Sequence, residues 1–171
     1  QINPFAYLKR HAKQTTYDTE DAYNEAIVET CLKDGIEVIA VTDHYRVHES
    51  AGLLKAAGNK GLFAFGGFEA VTKDGVHLLC LFDPDKDNVL ERFIGECGIH
   101  NSAELSPAGT LDCTELLQCA KRWGGICIAA HVAADGGGLL KKLSGQTRMT
   151  VWKSPELLAC ALAGRTADAP D

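Results

Sequence analysis

The sequence predicts one α/β domain with a mostly parallel sheet. Three observations carry that prediction. Short, continuous apolar runs alternate with amphipathic helical patterns, the runs are too short to be helices of ordinary length, and several end abruptly on polar residues. The 171 residues suit a single domain, 46% are apolar and 23% charged, and 17 glycines provide ample turn chemistry.

In chain order, "YDTEDAYNEAIVETCLKDG" (17–35) predicts a helix. Asp18 is its expected cap, with Asp21 three residues later; Ala22, Tyr23, Ala26, Ile27, Thr30 and Cys31 share one face, and Gly35 ends it. "IEVIAV" then predicts a buried strand that delivers Asp43 and His44 at its C-terminal end. "SAGLLKAAG" predicts a short helix capped by Ser50. "GLFAF" predicts a second strand, with the glycines of "GGFEA" allowing tight backbone geometry just before Glu69. After a "KDG" turn, "VHLLCLF" predicts a strand carrying His77, closed by "DPD". "NVLERFIGECG" is helical, as is "LDCTELLQCAKRWGG", where Asp112 and Glu115 stand in capping-box spacing before a double-glycine stop. "ICIAAH" is a short strand ending on His131. "SPELLACALAG" predicts a last helix, because serine followed by proline is a strong start signal, and the tail "RTADAPD" reads as frayed.

Bulk properties narrow the function classes. A net charge of -6 argues against an open nucleic-acid-binding surface, yet leaves room for a metal-mediated phosphate site, since bound cations invert the local field. The seven cysteines stand mostly in apolar segments, with no CxxC, which predicts buried free thiols in a reducing compartment. The basic residues of "QINPFAYLKRHAKQ" precede no apolar core, and no apolar run is long enough to cross a membrane. The expectation is a soluble, cytoplasmic protein without membrane contact.

Three strand candidates end on side chains that bind metals: "TDH" at 42–44, Glu69 within "GGFEA", and "AAH" at 129–131. In α/β folds such ends face one crevice, so distant positions can converge. His77, early in its strand, reaches the same crevice if that strand runs antiparallel or lies at an edge. Asp43, His44, Glu69, His77 and His131 then form a mixed nitrogen and oxygen set suited to zinc, manganese or iron. Each also has an ordinary reading: a capped loop for Asp43-His44, a hydrogen-bonded sheet histidine for His77, a surface acid for Glu69. His131, closing a wholly apolar strand, is the hardest to read that way. His48 and His100 read as solvated histidines. "DGGGLLKK" lacks the spacing of a nucleotide loop.

"EAIVETCLKDGIEVIAVTDH" resembles the second motif of the polymerase and histidinol phosphatase (PHP) superfamily. The resemblance continues through "GGFEA", where Glu69 matches a metal-bridging glutamate, "GVHLL", where His77 matches a ligand, and "IAAH", where His131 matches the next. The run from "GVHLLCLF" to "GLLKKLSG" is similar to PHP regions fused to an ATPase in a bacterial subgroup. The resemblance implies a partial or distorted (β/α) barrel of PHP type, spanning 1–171 as a single domain. It implies two or three divalent ions and hydrolysis of a phosphate ester by a metal-activated water, with Asp43, His44, Glu69, His77 and His131 as ligands. The implied substrate is a phosphorylated small molecule or a nucleic-acid end. Arg148, beyond the glycine loop, is a candidate for gripping substrate phosphate, or a surface residue.

Both ends depart from the family pattern. The first motif reads "YLKRHAKQTT": His11 stands near the first ligand position, but Lys13 occupies the place of a second histidine, and an ammonium is a poor ligand. At the other end, Asp168 is followed by Ala169 and Pro170 rather than by the closing histidine. The domain is therefore expected to be incomplete at its first and last motifs, with a partner domain or a second copy available to complete the fold. The alternative function is a degenerate, non-catalytic PHP module with a regulatory or docking role.

Overall fold

The computed structural model describes residues 5–10, 13, 16–100 and 106–162. A helix α1 (Phe5–Arg10) precedes α2 (Glu20–Lys33) and the strand β1 (Val38–Val41). Helix α3 (Val47–Asn59) leads into the long strand β2 (Phe63–Val71), which turns into β3 (His77–Phe82). A 3-10 turn (Pro84–Lys86) and α4 (Asp87–Glu96) follow, then α5 (Cys113–Arg122) and β4 (Ile126–Ala129). The one-turn α6 (Leu139–Lys142), α7 (Gly145–Trp152) and β5 (Leu157–Cys160) complete it.

The five strands form one sheet in the order β1-β2-β3-β4-β5. The pairs β1/β2 and β4/β5 are parallel, while β3 is antiparallel to both its neighbours. Four strands therefore point one way and β3 the other, a mixed α/β sheet with mostly parallel strand directions. Among the described residues β1 and β5 do not pair, so the sheet is open rather than closed into a barrel.

The two faces of the sheet differ sharply. Ala64, Phe68 and Ala70 alternate onto one face of β2. Phe68 and Ala70 are buried there with Leu78, Cys80, Phe82, Cys127 and Ala129, beneath Leu90, Phe93, Leu116, Leu117 and Val151 from α4, α5 and α7. Phe93 anchors that layer, with its ring 5.3 Å from Phe68 and 5.7 Å from Phe82. Ala64 belongs to a smaller cluster with Val28 of α2 and Ala57 of α3. The opposite face carries Phe63, Gly67 and Glu69, paired with Val38, Leu81 and Leu79 respectively, and Leu81 pairs in turn with Ile126. Its far end is open: Val38, Phe63 and Ile126 are 55%, 47% and 38% exposed.

Several expectations are corrected. Thr19, not Asp18, caps α2, its hydroxyl accepting from the Ala22 amide at 3.2 Å. Helix α3 starts at Val47, so Ser50 lies inside it and bonds to Asp43 instead of capping. The strand β2 continues through the glycines of "GGFEA". Gly67 is required there by proximity, since a Cβ would collide with the carbonyl of Cys80 on β3. Among the described residues of the final "SPELLACALAG", 154–162, no helix forms. Ser154 receives the Leu157 amide on its carbonyl at 3.1 Å, forming a turn, and Leu157–Cys160 pairs alongside β4. Sheet pairing there overrides the helical start signal. Other signals hold: Asp112 and Glu115 form the capping box, both bonds 2.9 Å, and Gly35, at φ 73°, follows the end of α2. Five of the seven thiols are buried, Cys31 is half-buried and Cys160 exposed. Among the described residues no helix is long and apolar enough to cross a membrane.

Candidate metal centre

The reversal of β3 gathers the site. Val71, at the C-terminal end of β2, pairs with His77, the first residue of β3, and Leu78 pairs with Ala129, the last of β4. The N-terminal end of β3 thus lies beside the C-terminal ends of its neighbours, the antiparallel arrangement that brings His77 into the crevice. Glu69 reaches it from β2, His44 from the loop after β1 and His131 from the loop after β4. Glu69 also donates its backbone N–H to the Asp43 carbonyl at 3.3 Å, tying the β1 exit to β2.

Glu69 is the hub. Its Oε1 lies 2.7 Å from His77 Nδ1 and 3.3 Å from His131 Nε2, while Oε2 lies 3.7 Å from His44 Nε2. The imidazole of His77 stands between the others, 5.6 Å from the His44 ring and 5.0 Å from that of His131. Ligand atoms of His44, Glu69 and His77 all lie within 4.8 Å of one another. Three imidazoles around one buried carboxylate is a donor set that fits zinc, manganese or iron. The Nδ1 atom of His131 is buried and has no hydrogen-bond partner among the described residues, and its backbone adopts φ 31°, unusual for a residue with a Cβ. Both features are what a side chain held for a task displays, since an unpaired buried polar atom carries a cost.

The electrostatics agree with that donor set. Burial pushes the Glu69 carboxyl up, but the His77 hydrogen bond and the charges of His44, His77 and His131 outweigh it and hold the group below the usual range. Burial, opposed by Glu69 and reinforced by His77 and His131, pulls His44 below the ordinary imidazole value. A carboxylate that stays ionised and an imidazole that stays neutral are the protonation states that coordinate cations. Ser106 Oγ sits 3.3 Å from His44 Nδ1. With that nitrogen donating to the hydroxyl, Nε2 keeps its lone pair towards Glu69.

Not every sequence candidate joins the group. The side chain of Asp43 accepts from Ser50 Oγ at 3.1 Å and borders the crevice between β1, α2 and α3; it is not in the group whose ligand atoms lie within 4.8 Å of one another, though the Glu69 charge acts on its carboxyl. Burial pushes that carboxyl up to about 6, with the Ser50 bond working against it. Arg148 lies on α7, its Nη1 3.4 Å from the Leu140 carbonyl, also outside the cluster. His11 and Asp168 fall outside the described residues. His48, exposed and facing Glu91, and His100, exposed, stand apart from Glu69.

Two supporting residues carried no recognised signal in the sequence. Gly137, at φ 121°, lies against the His77 ring and its carbonyl accepts the His77 amide at 2.9 Å. Tyr45, immediately after His44, adopts φ 52° and turns its hydroxyl onto the end of β2. That hydroxyl donates to the Val71 carbonyl at 3.1 Å and accepts the Val71 amide at 2.9 Å, while its ring packs 5.4 Å from Phe68. The β1–α3 loop is thereby pinned to the strand that carries Glu69. Tyr45→Phe keeps the ring but leaves the Val71 N–H without its acceptor, while the Val71 carbonyl keeps the Gly109 amide at 2.7 Å. We expect it to cost about 1–3 kcal/mol, measured by chemical denaturation, and to weaken metal binding through His44. A stability unchanged from the wild type would show that the hydroxyl does not hold the loop.

No family model matches the sequence, and no curated protein sequence matches it. Solved structures do. A chain from Bifidobacterium adolescentis, proposed to be a metal-dependent phosphoesterase, aligns with TM-score 0.55 and 16% identity over 80% of this chain and 70% of that one. The lesion-specific endonuclease Q of Pyrococcus furiosus aligns with TM-score 0.56 and 19% identity, over 71% of this chain and 32% of its own. An endonuclease Q bound to a 27-mer duplex substrate with an abasic lesion gives TM-score 0.55 and 18% identity, over 71% and 33%. The fold is shared with these proteins. The chain spans about a third of the length of endonuclease Q.

Proposed function

We propose that the chain is a metal-dependent phosphoesterase of PHP type, a hydrolase whose ions are held by His44, Glu69, His77 and His131. One observation carries the reading: imidazoles from three separate strand junctions converge on both oxygens of a single buried carboxylate. Divalent ions bound there, two or three of zinc, manganese or iron, would supply Lewis acidity towards a phosphoryl oxygen and would lower the pKa of water at the site. Glu69 offers Oε1 on the side of His77 and His131 and Oε2 on the side of His44, so one carboxylate is disposed to serve two positions. His44, held neutral by burial and oriented by Ser106, presents Nε2 inward. Tyr45 and Gly137 keep the rings of His44 and His77 in place. The side chain of Asp43 belongs to the support of α3 through Ser50 rather than to the ligand set.

The likeness in fold to a proposed phosphoesterase and to an endonuclease supports a phosphate ester as substrate, either a phosphorylated small molecule or a nucleic-acid end. The cluster of buried thiols suits a reducing compartment such as the cytoplasm. The test is elemental analysis of the purified chain, joined to manganese-stimulated hydrolysis of p-nitrophenyl phosphate and of bis(p-nitrophenyl) phosphate. We expect at least one bound ion per chain, and hydrolysis that a chelator abolishes and manganese restores. Protein that takes up no metal and hydrolyses neither ester would instead be a non-catalytic module of the same fold.

A further inference from the structure

Beside the cluster, on the outer side of His44, lies a 270 Å³ cleft between the start of α3, the helix α4 and the segment around Pro107. That volume sits near the lower end of small-molecule sites, about 300–1,000 Å³, and suits one compact group. His44 forms part of its wall, so cleft and cluster share a side chain. The polar lining is unusual for a chain with net charge -6: Arg46, His48 and His100 face the space, with Glu91 as the acid among them. Glu91 Oε1 lies 2.5 Å from His48 Nε2 across the cleft. Val47, Ile94 and Ile99 supply an apolar wall.

Arg46 carries the fixed positive charge of the lining. It precedes α3 without capping it by a side-chain bond. Among the described residues its Nη1 forms a salt bridge with Glu49 Oε1 at 3.3 Å, and its charge also acts on the Asp43 carboxyl. A guanidinium has five N–H donors in a planar fork, and that contact occupies one of them. The remaining donors belong to a side chain that lines the cleft beside His44.

We propose that this cleft seats a second, non-reacting oxyanion of the substrate, a phosphate or a carboxylate, held by the fork of Arg46 with His100 alongside. This rests on the reading of the cluster as a phosphoesterase centre and adds a substrate class: esters carrying another anionic group near the scissile phosphate. Arg46 is then the specificity-determining residue, and the apolar wall contacts the carbon frame between the two anions.

Two measurements test it, and the first needs no metal. Inorganic phosphate, and acetate in a separate titration, are added to chelator-treated protein while the imidazole resonances of His48 and His100 are followed. We expect saturable shifts in the wild type, the tighter of the two ions identifying the seated group. Arg46→Gln should weaken that binding about tenfold, the scale of one charge-assisted hydrogen bond, and Arg46→Lys should fall between. Absence of saturable shifts, or equal affinity in Arg46→Gln, overturns the seat whether or not the chain binds metal. With manganese restored, the ratio of KM for phenyl phosphate to that for 4-carboxyphenyl phosphate should be about ten in the wild type and collapse towards one in Arg46→Gln. A wild-type ratio near one also overturns it. Metal content measured on the same samples reports failure of the centre separately from failure of the seat.

Discussion

Glu69→Gln should empty the metal centre and stop hydrolysis while leaving the chain folded. The substitution is nearly isosteric, and an amide oxygen can still accept from His77 Nδ1, where the carboxylate now does so at 2.7 Å. What disappears is the negative charge. Glu69 is 7% exposed, so little water is at hand to replace it, and His44, His77 and His131 lose their common anionic partner. Loss of an outer partner already lowers metal affinity by about 10–100-fold; loss of the shared carboxylate itself should exceed that, by a factor of at least about a hundred. Thermal unfolding gives a second readout. A ligand that binds only the folded state raises its stability, so chelation should lower the melting temperature of the wild type and leave that of Glu69→Gln unmoved. Wild-type metal content in Glu69→Gln would refute the proposed centre.

The parts of this fold that were legible in the sequence are those decided locally. β1, β3 and β4 announce themselves as short apolar runs, and α5 carries its cap and its stop within its own sequence. The positions of His44, His77 and His131 at strand ends follow from those strands, and so does the idea that they share one crevice; Glu69 instead lies within β2, two residues before its end. Long-range decisions were not legible. Leu157–Cys160 has a serine-proline start that favours a helix, and only the edge of β4 makes it a strand. The direction of Asp43 was equally hidden. Two adjacent residues at a strand exit point in different directions, and here the turn at Tyr45, fastened to Val71, sends His44 towards Glu69 and leaves the Asp43 carboxylate to Ser50. The sheet's open face escapes a pattern reading for the same reason. Phe63 and Phe68 are both aromatic strand residues, yet one is 47% exposed and the other fully buried because all the packed clusters lie on one side.

Gly137→Ala is expected to damage fold and centre together, through a single methyl group. Gly137 adopts φ 121°, a backbone conformation that side chains rarely tolerate, and a Cβ there would overlap Cδ2 of His77 and come within 2.7 Å of its Cγ and Nε2. The Gly137 backbone has little freedom to retreat, because its carbonyl accepts the His77 amide at 2.9 Å and the His77 carbonyl in turn accepts the Ala130 amide at 3.0 Å. The ring must therefore swing, and its Nδ1 leaves the Glu69 oxygen that it now meets at 2.7 Å. Backbone strain and overpacking together should cost about 3 kcal/mol, read from the denaturation midpoint. Metal affinity should fall at least about tenfold, since a misdirected ligand is worth no more than a lost outer partner. Gly136→Ala is the matched control: a Cβ at Gly136 meets nothing within 4 Å among the described residues, so a change within about 0.5 kcal/mol is expected. If Gly137→Ala bound metal as the wild type does, His77 would not be a ligand held by this glycine. If Gly136→Ala proved equally harmful, the loop as a whole, rather than the contact with the imidazole, would be what the centre depends on.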